Sequence, residues 1–159
     1  MDTYDEELVA LWRSFAKYGL SYIMVGGFAV NLHGFNRTTA DIDIWIKDTT
    51  KNRGALRKVL IDIGYPDLPQ IQTIDFVPGW TTFYLSAGLE LDVMTFLSGF
   101  EQDTFDDCFK YASIAHIFEL EIPFLHINQL LEEKRKTNRP KDQIDVIELE
   151  KIKKQRETP

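Results

Sequence analysis

The stretch Tyr22–Lys47, YIMVGGFAVNLHGFNRTTADIDIWIK, decides how the chain reads. Tyr22-Ile23-Met24-Val25 predicts a strand, Gly26-Gly27 a turn, and a short helical piece follows. Asp41-Ile42-Asp43-Ile44-Trp45-Ile46 then predicts a second strand. Side chains alternate across a strand, so Asp41 and Asp43 share one face while Ile42, Ile44 and Ile46 share the other. Two adjacent carboxylates backed by an apolar face repel unless a cation neutralises them. Carboxylate oxygens beside a glycine turn that approaches phosphate point to Mg²⁺ and a nucleotide.

Upstream, Leu8, Leu11, Trp12 and Phe15 recur at helical spacing, predicting an amphipathic helix over 5–18 that Gly19 stops. Downstream, Asp48-Thr49-Thr50 offers caps for a helix carrying Leu56, Val59, Leu60 and Ile63, which Gly64, Pro66 and Pro69 end. Residues 65–79 read as irregular, with a turn at Pro78-Gly79. Trp80–Ser86 and Leu89–Phe96 read as strands joined by a tight hairpin at Ala87-Gly88. In the second run Leu89, Leu91 and Val93 alternate with Glu90, Asp92 and Met94. Asp92 is thus a third candidate acid, and Glu90 competes from the same face; the strand-middle position and apolar flanks favour Asp92.

Residues 97–112 read as an acidic loop pinned by Phe100, Phe105 and Phe109, and 113–118 with 120–125 as a second hairpin bending at Glu119. A helix runs from Ile127 to about Asn138-Arg139-Pro140, since proline disfavours helix in the residue before it. Pro140 opens a last helix with Ile144, Ile147 and Ile152, and the charged tail from Lys153 is expected to fray. His33 suits packing or hydrogen bonding and His126 a helix cap, and with His116 they share no metal-ligand spacing.

A hydrophobic strand ending in Gly-Gly, a short helix and an Asp-x-Asp strand resembles the signature of the DNA polymerase β-like nucleotidyltransferase superfamily. The apolar-flanked Asp92 resembles that family's third carboxylate. The resemblance implies an α/β fold: a small mixed sheet flanked by helices, ending in two C-terminal helices. It implies that Asp41, Asp43 and Asp92 hold Mg²⁺ (or Mn²⁺) and carry the chemistry, with an NTP as substrate. It also implies that Gly26 and Gly27 cradle phosphates, where many members carry serine at the second position. Arg37, followed by Thr38, either reaches phosphate or balances the carboxylates. A second resemblance lies in Lys134…Arg139-Pro140-Lys141-Asp142…Asp145, similar to the C-terminal element of stand-alone bacterial nucleotidyltransferases, including AbiEii-type toxins. By that similarity Lys134, Lys141 and Asp145 line the nucleotide side of the cleft. Residues 97–121 match no motif.

The bounds agree with this reading. A chain of 159 residues, 44% hydrophobic and 27% charged, is the size of one globular domain, here a core over about 5–125 and a helical element over about 126–153. No apolar run reaches membrane-span length, and the acidic first residues are unlike a signal peptide. A single cysteine, Cys108, excludes an internal disulfide and fits a reducing cytoplasm. The net charge of −7, with Lys110 the one lysine or arginine between Asp62 and Glu121, argues against long nucleic acid on that face. The acceptor stays open among a small molecule, a protein hydroxyl as in toxin–antitoxin systems, and a tRNA end beside the basic C-terminal residues. A non-catalytic binding module and a metal-dependent phosphohydrolase are the competing functions.

Overall fold

The computed structural model describes residues 3–39, 41–76 and 79–158. In chain order the elements are α1 (Thr3–Lys17), β1 (Tyr22–Val25), α2 (Gly26–His33), β2 (Asp41–Ile46), α3 (Thr50–Asp62), β3 (Trp80–Tyr84) and β4 (Glu90–Met94). They continue with α4 (Phe105–Tyr111), β5 (Ser113–Ile117), β6 (Leu120–Phe124), α5 (Ile127–Thr137) and α6 (Pro140–Glu157). The six strands form one mixed sheet in the order β3-β4-β2-β1-β6-β5. β2 runs parallel to β4 and β1 parallel to β6, while the other neighbours are antiparallel. This is the α/β architecture expected, with α5 and α6 packed together at the end.

The alternation in β2 is realised as expected. Ile42, Ile44 and Ile46 are fully buried, beside Leu91 and Val93 of β4. The stripe of α1, Leu8, Leu11, Trp12 and Phe15, is buried too, and the helix packs on β6 and α3. Thr49 caps α3 by accepting from the Asn52 amide at 3.1 Å, and His126 Nδ1 caps α5 from the Asn128 amide at the same distance. Asn138, left-handed at φ 49°, ends α5, and Pro140 starts α6 at once.

Four local expectations are corrected. The turn between β3 and β4 is wider than a tight Ala87-Gly88 hairpin: Tyr84 pairs with Glu90, and a 3₁₀ turn over Ser86–Gly88 lies between. Leu89 is fully buried and draws the chain into that wider path. Within 97–112, α4 replaces part of the loop; its helical spacing rests on Phe105 and Cys108, too few turns to read beside the aspartates. Phe105 packs edge-on against Trp45, with ring centroids 5.1 Å apart. The tail does not fray at Lys153, because Arg156 donates to the His33 carbonyl at 3.1 Å and holds α6 helical to Glu157. Residues 65–79 hold a 3₁₀ turn over Pro69–Gln72, anchored by the buried Arg53 guanidinium, which donates to the carbonyls of Ile71 and Ile74. Pro78, half of the expected turn with Gly79, lies outside the described residues.

Candidate active site

The parallel register of β2 on β4 pairs Asp43 with Asp92 and Asp41 with Glu90. Asp41, Asp43 and Asp92 face a cleft of about 420 Å³, while Glu90 is not among its lining residues. Burial pushes the Asp43 carboxyl up to about 7, helped by a hydrogen bond shared with Asp92 and by the charges of Asp92 and Asp41, against the pull of Lys134. Glu90 is raised as well, by burial and then by a hydrogen bond shared with Asp41. Asp92 Oδ1 accepts from Thr82 Oγ1 on neighbouring β3 at 2.5 Å. Carboxyls that raise one another are close hard oxygen donors whose charges repel when ionised, a donor set that suits Mg²⁺ or Mn²⁺. Among the described residues, no group of three or more His, Cys, Asp or Glu already stands in metal-binding geometry.

Gly26 and Gly27 begin α2 directly at the end of β1, and no side chain caps this helix start. Gly26 has φ +66°, and a Cβ there would overlap the Asp43 carboxylate. Only glycine lets helix start and carboxylate come so close. At Gly27 a Cβ would stand 2.7 Å from Thr39 Oγ1 and 3.0 Å from Arg37 Nη2. With Arg37 and Thr39 so placed, a serine has no room, and the turn offers backbone donors only.

The opposite wall comes from α5 and α6. Lys134 and Lys141 line the cleft, as do Arg37 and Thr38. Lys134 is 2% exposed, and its ammonium sits 3.2 Å from Asp142 and 3.3 Å from Asp145. Asp145 is fully buried behind the wall rather than lining it; it also pairs with Arg37, whose Nη2 donates to Oδ2 at 3.2 Å. Burial alone would raise the Asp142 carboxyl, yet hydrogen bonds from Arg139, with Lys134 adding charge, hold it well below its ordinary range. Arg139 Nε donates to Asp142 Oδ2 at 2.7 Å. One buried ionic ladder thus ties Arg37 and both C-terminal helices together.

No family model matches the chain, and no curated protein matches it. Solved structures do. A lincosamide antibiotic adenylyltransferase (LnuA) with lincomycin bound matches at 20% identity and a TM-score of 0.63, over 92% of this chain and 96% of the other. The chain has a nucleotidyltransferase fold. A candidate nucleotidyltransferase from Thermotoga maritima matches at 14% identity and a TM-score of 0.55, over 98% and 94%. A nucleotidyltransferase-like protein from Paracoccidioides brasiliensis matches at 16% identity and a TM-score of 0.54, covering 94% and 77%.

Within this nucleotidyltransferase fold, cleft residues not named as site candidates from the sequence include Thr39, Trp80, Met94, Leu97, Glu133 and Arg139. Trp80 and Met94 pair across β3 and β4 near the acidic residues, a placement that strand assignment alone could have flagged. Glu133 carried no signal, since in sequence it is one acid in a charged helix.

Proposed function

We propose that this protein transfers a nucleoside monophosphate from an NTP to an acceptor hydroxyl. The observation that supports this most is the β2–β4 register, which gathers Asp41, Asp43 and Asp92 at a cleft starting from an uncapped, glycine-led helix N-terminus. Asp41 and Asp43, completed by Asp92, would hold Mg²⁺ or Mn²⁺. Such an ion, when bound, offsets triphosphate charge and lowers the pKa of the attacking hydroxyl. Gly26 and Gly27 direct backbone N–H groups at the β- and γ-phosphates from the positive end of α2. Arg139 and Lys141 add positive charge along the wall. Asp92, oriented by the Thr82 hydroxyl, accepts the proton of the acceptor hydroxyl. The acceptor oxygen bonds to the α-phosphorus, the bond to the bridging oxygen breaks, and pyrophosphate leaves with that electron pair. Positioning and electrostatics supply most of the rate in such transfers.

The test is calorimetric titration of each NTP, with and without Mg²⁺, into wild type and into the Asp41→Asn/Asp43→Asn double variant. Metal-dependent binding by wild type alone is the expected result. A folded wild type that binds no NTP under either condition overturns the proposal.

A further inference from the structure

The cleft does not end at the carboxylates. A second cavity of about 410 Å³ adjoins it, and the two share Trp80, Met94, Leu97, Glu133 and Arg139. Its own floor adds Gly79 and Phe96. Its chemistry differs from that of the phosphate side. Trp80 is 50% exposed and Phe96 48%, two large aromatic rings left uncovered beside a polar site. Phe96 lies so close to Gly79 (φ +115°) that a Cβ there would overlap its ring. Exposed apolar surface clustered in a concavity marks a binding surface more often than a scattered exposed side chain does.

Glu133 supplies the polar counterpart. Its Oε2 is buried and has no hydrogen-bond partner. The cations next to it are already engaged: Lys134 with Asp142 and Asp145, and Arg139 with Asp142. An unsatisfied carboxylate oxygen at a cavity wall is costly unless a ligand donates to it. An aromatic face together with such a carboxylate is the chemistry that recognises an ammonium group.

Resting on the transfer reading above, we infer that this compartment is the acceptor subsite, and that the acceptor is an amine-bearing hydroxyl compound with an apolar face. Its ammonium pairs with Glu133, its apolar face lies on Trp80 and Phe96, and its hydroxyl reaches toward Asp92 across the shared boundary. A polymeric anion such as a tRNA end is disfavoured here, because Glu133 meets it with like charge in this compartment.

The probes are phenylethanolamine and aminocyclohexanol, each beside its neutral N-acetyl derivative. Binding is followed at millimolar concentration by tryptophan fluorescence and by NMR, without nucleotide, in wild type, Glu133→Gln and Trp80→Ala. Circular dichroism checks that each variant is folded. In wild type each amine should bind about tenfold tighter than its N-acetyl form, the preference expected of one charge-assisted hydrogen bond. Glu133→Gln should remove that preference. Trp80→Ala should weaken both forms alike. Equal binding of amine and N-acetyl forms, no binding of either, or a preference that survives Glu133→Gln overturns the inference. Should NTP binding fail while the Glu133-dependent preference is present, the amine site is supported and only the transfer reading falls.

Discussion

Gly26 illustrates how much chemistry one missing Cβ permits. Its positive φ and its closeness to the Asp43 carboxylate are separate demands met by the same residue. Gly26→Ala should destabilise the fold by about 1–2 kcal/mol, the cost of a left-handed alanine. It should also abolish Mg²⁺-dependent NTP binding, because the methyl group displaces Asp43. Thermal denaturation and NTP titration check the two effects separately, and unchanged NTP binding would refute the role given to this turn. Lys134 and Lys141 offer a second contrast. Both line the cleft, but Lys134 is buried between two aspartates whereas Lys141 is exposed. Lys134→Met should cost about 3–5 kcal/mol, since it removes the buried cation that Asp142 and Asp145 share and leaves each with a single arginine partner. Lys141→Ala should change stability by no more than about 0.5 kcal/mol while weakening NTP binding several-fold. Denaturant unfolding of both variants, beside NTP titration of the second, distinguishes the roles. A chain reading sees the two lysines as equivalent members of a charged run; only burial separates them.

Between elements, His33 joins three parts of the fold. Its Nε2–H donates to the Leu125 carbonyl at 2.7 Å, and its Nδ1 accepts from Arg156 Nη2 of α6 at 3.2 Å. The ring also meets Phe124 edge-on. Both nitrogens are satisfied only in the neutral ring, because a proton on Nδ1 would face a guanidinium. Burial lowers the His33 pKa from 6.5 to about 4, with Arg156 adding to the effect and the Leu125 hydrogen bond opposing it. Between these values the unfolded chain binds the proton and the folded one does not. Stability is therefore full above pH 6.5 and falls as pH drops toward 4, by roughly 3 kcal/mol at most. Denaturant unfolding across this window should show that slope, and His33→Gln should flatten the share due to this ring. The packing role of His33 was visible in its apolar surroundings. Its partner Arg156 was not, since it lies in a tail with no apolar periodicity, and the contact exists only once α6 crosses back over α2.

For the whole molecule, α5 and α6 are part of the core rather than an appendage. Leu130, Leu131 and Leu149 are buried, and both helices pack on α2, the helix that carries the glycine turn. We therefore expect the chain to unfold as one cooperative unit. Tryptophan fluorescence from Trp12, Trp45 and Trp80 should report the same midpoint as far-UV circular dichroism. A truncation ending at Leu125 should lose the cooperative transition, and separate midpoints for the full chain would count against a single unit. By itself, the sequence determined the strand–glycine–helix–strand unit and the acidic face of β2. Those are local patterns, set by the two-residue and 3.6-residue periods of strand and helix. It determined too that Asp92 lies on a strand with apolar flanks. Only the tertiary structure decided that Asp92 stands beside Asp43, because parallel pairing of β2 with β4 joins segments that no turn links directly. Tertiary structure likewise turned Asp142, Asp145 and Lys134 from a charged helix face into a buried ladder, and set Glu133 beside Trp80 in one cleft. Long-range packing chooses which charges lose water, and no local pattern records that choice.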